Sequence, residues 1–298
     1  MPDDDIPDYH RGSPDRPRTC TYWPEGKKKV LLVTRGHGFD HAPFIEVFSR
    51  NPDIEFSQME HPAAQLMFDP ALARHFDCYV LYDMPGIEFD QGPDGITASF
   101  REPPQRYKDG LAAMLEAGHP LVILHHAIAA WPAWPEWAEI CGGQFLYVPM
   151  KSRGIDKPDS GYAFDARYTV SPAGAHPITE GIEPFEIVDE PYLCEVFEES
   201  LIPLFTSDYG VSDEKFYSTQ LALQGRFLAK DGWGHEPGSN LVGWVKTYRN
   251  SPIVYLQFGD GPSTYGNEGF RRILRQAINW ACSDEARDWA RNEAGRAS

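Results

Sequence analysis

The chain has 298 residues and a formal net charge of −17, from 44 acidic against 27 basic side chains. A surplus of that size repels phosphate backbones and anionic lipid headgroups, so neither nucleic acid nor a membrane surface is expected as a partner. The length suits one large α/β domain or two small ones, with enough apolar residues for a substantial core.

Residues 1–26 carry five prolines and five aspartates and little apolar periodicity, which predicts an extended arm before a body over 27–283 and a tail over 284–298. The acidic start Met1–Asp8 lacks the basic and apolar parts of a signal peptide, and no apolar run is long enough to span a bilayer. A cytoplasmic location is therefore expected. Cys20, Cys78, Cys141, Cys194 and Cys282 are scattered, odd in number and without a Cys-x-x-Cys pair, so they read as reduced thiols.

The body opens with an apolar run, Lys29–Thr34 (KVLLVT), then a helix over Pro43–Arg50 with proline in its first turn, then a strand over Ile54–Gln58. Asp69–His75 predicts a short helix, and Cys78–Tyr82 (CYVLY) a second buried strand. Gly86–Glu102 is a long polar connection with glycine at 86, 92 and 95, a candidate lid. Pro103–Ala117 sets Tyr107, Leu111, Met114 and Leu115 on one helical stripe, with Gly118 as the C-terminal cap, ahead of the strand Leu121–Leu124 (LVIL).

From Gly142 onward the texture changes to short strand-like pieces at Gly143–Val148, Ala163–Val170, Tyr192–Val196, Ile202–Thr206, Gln220–Ala229 and Leu241–Thr247, which predicts an added β-rich layer. Ile253–Phe258 gives one more buried strand. Phe270, Ile273, Leu274, Ala277, Ile278 and Ala281 then recur at helical spacing and mark a closing amphipathic helix. The alternation predicts an α/β fold: a doubly wound, mostly parallel sheet with helices on both faces.

In such sheets ligands sit beyond the carboxyl ends of the strands. The early runs end in Arg35–His41 (RGHGFDH), Asp83–Pro85 and His125–His126, so His37, His41, Asp83, His125 and His126 share one expected destination. Adjacent residues leaving a strand point to different sides, and His126 is the one placed in the crevice, while His125 packs or hydrogen-bonds inside. Glu190, between Asp189 and Pro191-Tyr192, is the expected acid/base partner of His126, with Asp83 a third catalytic candidate. His37, His41, His125, Trp131, Tyr192 and Asp260 are candidate substrate contacts. Trp131, Trp134 and Trp137 recur every three residues; two of them read as core and Trp131 as a sugar platform.

His37 and His41, four apart, would hold a divalent metal if Asp83 or His126 completed the shell; otherwise His41 is a local cap of the Pro43 helix. The loop TRGHGFDH has no Gly-x-Gly-x-x-Gly, so neither NAD nor flavin is expected.

The strand and loop KVLLVTRGHGFDH, the strand LVILHHA with Gly142–Phe145 (GGQF), the stretch HPITEGIEPFEIVDEPY over 176–192, and IVYLQFGDG with AINWA over 277–281 together resemble the ThuA-like (trehalose utilisation) family. That family is a branch of the class I glutamine amidotransferase-like superfamily, and the resemblance implies a flavodoxin-like core and the handling of sugars or their oxidised derivatives. Two positions depart from the family pattern: Asp260 follows Gly259 where many relatives have histidine, and Arg249–Pro252 (RNSP) replaces a glycine-rich turn.

Glutaminase activity is not expected, because the turn after Leu121–Leu124 carries His125 and His126 where a nucleophilic cysteine would be needed. Three readings remain. One is an enzyme acting on a sugar or keto-sugar by proton-transfer isomerisation, elimination or hydrolysis. The others are a non-catalytic sugar-binding or regulatory protein and a metal-dependent hydrolase. A small carbohydrate is the expected partner, and assembly as a homo-oligomer is left open.

Overall fold

A computed structural model describes residues 23–92 and 95–297. Most of the expected arm, with Cys20, and the tip of the expected lid at Pro93-Asp94 lie outside the described residues. The body is organised on a nine-stranded sheet made of β1 (Lys28–Arg35), β2 (Ile54–Glu60), β3 (Cys78–Asp83), β4 (Leu121–Leu124), β5 (Ala166–Pro172), β6 (Phe185–Asp189), β7 (Ile202–Ser207), β8 (Leu241–Tyr248) and β9 (Ser251–Leu256).

Their order across the sheet is β6-β5-β7-β8-β9-β4-β3-β1-β2. Strands β2, β1, β3, β4 and β9 run parallel to one another, the flavodoxin-like half of the α/β fold. The chain reverses direction across the sheet at β1, which lies between β2 and β3, and that leaves a crevice at the carboxyl ends of β1 and β3.

The expected β-rich part divides: β8, β7, β5 and β6 extend the same sheet by antiparallel pairing from β9 outward, whereas Gly161–Tyr162, Tyr192–Leu193 and Tyr217–Ser218 form a small separate sheet and Gly143–Gln144 pairs with Glu195–Val196 in another. Gln220–Ala229 is not a strand; Thr219–Leu223 forms a short helix, its first turn capped by the Ser218 hydroxyl, which accepts from Leu221 N. Apolar content without a clean period of two had not distinguished the two forms.

Strand periodicity sorts the core. Val30 and Leu32 of β1 pack on one face with Phe44, Val47 and Phe48 of α1 (His41–Ser49), whereas Leu31 and Val33 pack on the other with Tyr107, Leu111, Met114 and Leu115 of α2 (Gln105–Glu116). After α2, Gly118 takes φ +86°, the left-handed cap its position demands. A third helix, α3 (Pro135–Cys141), follows β4. The closing helix α4 (Glu268–Ala281) starts where the Asn267 side chain accepts from Gly269 N and Phe270 N, and buries Phe270, Ile273, Leu274, Ala277 and Ile278. Residues beyond it form α5 (Asp284–Ala297), which buries Ala286 and Ala290 and sets Trp289 against Trp280.

The expected lid is a β-hairpin, Ile87–Gly92 paired antiparallel with Gly95–Phe100. Phe89 and Ile96 alternate with polar residues along it and stand exposed. Among the described residues no helix is long and apolar enough to cross a membrane.

Candidate active site

Each parallel strand delivers a polar group at its carboxyl end. β1 runs into Arg35 (φ +103°) and Gly36 (φ +101°), where a Cβ on Gly36 would stand 2.4 Å from the Met84 carbonyl oxygen, so only glycine lets the chain turn there toward His37. β2 ends beside His61, β3 in Asp83, β4 at His125 and β9 runs on to Gly259 and Asp260. His125 sits at φ +47°, a left-handed position uncommon for a non-glycine residue and characteristic of a constrained site.

His125 is fully buried and every polar atom of its ring is engaged. Nδ1–H donates to the Gln257 carbonyl at 2.6 Å. Nε2 meets the Tyr192 hydroxyl at 2.8 Å, Glu190 Oε2 at 3.2 Å and Asp260 Oδ1 at 3.3 Å. Burial opposes charge on the ring, but hydrogen bonds and attraction from Asp260 and Glu190 outweigh it and lift the pKa of His125 well above the ordinary histidine value. His125 is therefore an imidazolium held between two carboxylates.

The surrounding groups are fixed in turn. The Tyr192 hydroxyl donates to Glu190 Oε2 at 2.9 Å, and Tyr192 N donates to the Gln257 side chain at 3.2 Å. Burial would raise Asp260, but its hydrogen bond to His125 prevails and holds it below the usual aspartate value. Asp189 accepts from Gly259 N at 2.6 Å and from Asp260 N at 2.8 Å, and so sets the turn that carries Asp260. Burial pushes Asp189 up to about 6 despite the nearby imidazolium.

In front of this network lies a cavity of about 300 Å³ walled by Glu190, Tyr192, His126 and His37. The His37 and His126 rings stack with centroids 4.4 Å apart, and Tyr82 lies 4.2 Å from His126. No hydrogen bond of ordinary geometry satisfies either ring nitrogen of His126 or Nδ1 of His37. Burial, then the neighbouring His37 and the charged His125, push His126 well below its ordinary value; burial and His125 lower His37 as well. Both shifts favour the neutral imidazole. The rest of the wall is aromatic and aliphatic, including Phe145, Tyr147, Tyr162, Phe164 and Phe227, with Phe89 and Ile96 of the hairpin.

The fold thus brings His37, His126, Glu190 and Tyr192 to one cavity, with His125 and Asp260 behind Glu190. Three expected contacts fall elsewhere. Asp83 is buried against His61, Oδ2 to Nε2 at 2.7 Å, and is not part of the cavity wall. His41 is the exposed first residue of α1 and stacks on Phe39 at 4.1 Å, so His37, His41 and His126 do not converge. Donors that do converge are His125, Glu190 and Asp260, within 4.8 Å of one another.

Trp131 is not a sugar platform. It is 4% exposed, its amide donates to Pro85 O, and its ring abuts Gly86 (φ +90°), where a Cβ would come within 2.8 Å of the indole. Trp134 and Trp137 are buried in the core as expected. Sequence reasoning missed His61, which the end-of-strand rule applied to β2 would have found. It also missed the aromatic wall: Phe145 and Tyr147 alternate after GGQ, but Tyr162 comes from a two-residue strand and Phe164 and Phe227 from loops, too short or irregular for a periodic signal.

The family profile for ThuA, described as trehalose utilisation, matches residues 96–281, more than half of the chain. A solved structure of a ThuA-like protein from Parabacteroides merdae is similar with a TM-score of 0.60 at 16% identity, covering 86% of this chain and 90% of that one. Another, from Bacteroides uniformis, gives 0.54 at 15% identity over 92% and 96%. A cytoplasmic protein of Salmonella typhimurium LT2 gives 0.52 at 13% identity over 85% and 99%. At such identities the likeness shows the fold alone. No curated protein matches the chain.

Proposed function

The chain belongs to the ThuA family of trehalose utilisation, and on that premise we propose that it is an enzyme that moves a proton on a sugar or keto-sugar bound in the aromatic cavity. The observation that carries this reading is the placement of Glu190, tied to the His125 imidazolium, the Tyr192 hydroxyl and the cavity at once. A cytoplasmic setting accords with it, since a fold neighbour from Salmonella is described as a cytoplasmic protein.

Glu190 takes the proton from a carbon next to a carbonyl, and the C–H electron pair moves into the carbonyl to give an enediolate. Return of the proton to the neighbouring carbon, with the hydroxyl proton passing from one enediolate oxygen to the other, isomerises the sugar; departure of a substituent one carbon further on, with its bonding electron pair, gives elimination. Fixed donors aimed at the developing oxyanion lower the barrier without reorganising. His37 suits that task, with the His126 ring, its nitrogens buried, stacked against it. A neutral imidazole donates a hydrogen bond to a carbonyl without surrendering its proton, whereas a histidine shuttle would have to titrate near neutrality, and burial takes His126 far from there. His125 acts on Glu190 rather than on substrate, holding the carboxylate in place.

The test is a screen of mono- and disaccharides and their keto forms for product, with affinity measured separately in Glu190→Gln and His126→Ala. Removing the base is expected to lower turnover at least about a hundredfold while binding persists. Wild-type turnover and affinity in both variants would dismiss this site. Binding without turnover by the wild type would favour a sugar-binding or regulatory role.

A second reading rests on the convergence of His125, Glu190 and Asp260, with His125 Nδ1 anchored on a backbone carbonyl as metal-ligating histidines are. Metal analysis of the purified protein and activity after chelation separate it from the first: a bound divalent ion and chelator-sensitive turnover favour it, and their absence removes it.

A further inference from the structure

Beyond the end formed by His37, His126 and Glu190, the cavity offers almost nothing to a hydroxyl-rich ligand. Apart from those three groups, its polar side chains among the described residues are Thr219 and tyrosines, and no described lysine, arginine, asparagine, glutamine or aspartate contributes to the wall. A second sugar ring would bring several hydroxyls out of water with few partners, which is costly.

The outer wall is apolar in a way the fold does not require. Phe89 is 53% exposed, Ile96 37%, Phe164 49% and Phe227 65%, and all four border this one cavity. They come from three separate segments: the hairpin, the loop after Tyr162 and the loop after Leu223. Isolated apolar side chains on a surface need no explanation, but a ring of them around a concave site marks a binding surface. Deeper in, Tyr147 adds its ring to the wall while its hydroxyl is buried away from the cavity.

We propose that the substrate is a sugar derivative bearing a flat apolar substituent, an aryl group, whose polar ring lies against Glu190, His37 and His126 while the aryl ring lies among Phe89, Phe164 and Phe227. This rests on the proton-transfer reading of the same site and adds the chemical class of what enters it. Offset and edge-to-face ring contacts give such a substituent geometry as well as area.

The experiment uses the whole chain and four probes in titration calorimetry: both anomers of 4-nitrophenyl glucopyranoside, methyl glucopyranoside, and trehalose. At least one aryl glucoside is expected to bind about tenfold more tightly than methyl glucoside or trehalose, a difference of ~1.4 kcal/mol. Phe227→Ser and Phe89→Ser are expected to weaken the aryl glucoside about tenfold more than methyl glucoside.

Trehalose binding as tightly as the aryl glucosides would overturn the inference and leave the proton-transfer reading standing. The same holds if the Phe variants change sedimentation of the protein but not affinity, since the rim would then join copies of the chain. Failure of every probe to bind, together with no turnover in the keto-sugar screen, would overturn both.

Discussion

Replacing His125 with asparagine tests the central electrostatic claim. Asparagine accepts positive φ more readily than most residues, so the backbone at φ +47° can persist while the imidazolium goes. What remains is Glu190 and Asp260 facing each other without the cation between them, and a Gln257 carbonyl without its donor. Breaking a buried ion pair from one side costs about 3–5 kcal/mol, against a total of roughly 5–15 kcal/mol for a folded domain.

Urea denaturation followed by tryptophan fluorescence should show a fall of that size at neutral pH. Adding Glu190→Gln to the variant should return about 1–3 kcal/mol, because one of the opposed charges is then gone. The pH dependence gives an independent check. A proton held more tightly in the folded state stabilises it fully below the unfolded histidine value of about 6.5, and that contribution is lost as the pH rises through the elevated folded value. The wild type should therefore lose stability as the pH rises from about 6.5 to the elevated folded value, and His125→Asn should lose less over the same interval. A cost below about 1 kcal/mol, or identical alkaline slopes, would refute the imidazolium assignment.

Tyr192→Phe removes the hydroxyl that bonds both Glu190 and His125, and should cost about 1.5–3 kcal/mol in the same assay. Turnover should fall more than affinity, because Glu190 loses its orientation. His119 gives the opposite pH signature: burial lowers it to about 4, and its ring packs edge-on against Tyr79. It is neutral when folded and more easily protonated when unfolded, so stability should drop as the pH falls from 6.5 toward 4. Integrated over that window the loss is ~3 kcal/mol. His119→Gln should flatten the acid limb between those values, and an unaltered limb would show that other groups govern acid unfolding.

Much of the fold was legible because periodicity is a local property of the chain. KVLLVT, CYVLY, LVIL and IVYLQF are buried strands, and the stripe from Phe270 to Ala281 is the closing helix. Strand polarity then sent His37 and His126 to one end of the sheet, where the cavity lies. The β-rich half was harder to read, since its apolar runs do not say whether their edges pair with an existing sheet or with one another.

What the sequence could not assign was charge. His125 and His126 are neighbours of the same type, yet one is an imidazolium and the other a neutral ring. The difference comes from Glu190 and Asp260, remote in sequence and about 3 Å from His125 in space, which leave His126 buried beside the charged His125 and the rings of His37 and Tyr82. In the same way Asp83 answers to His61 and not to the cavity. Residue types and their spacing determined the strands and the end of the sheet at which polar groups gather; only the tertiary structure decided which groups touch. The reason is physical: burial and hydrogen bonding act over a few ångströms and are indifferent to the number of residues between partners.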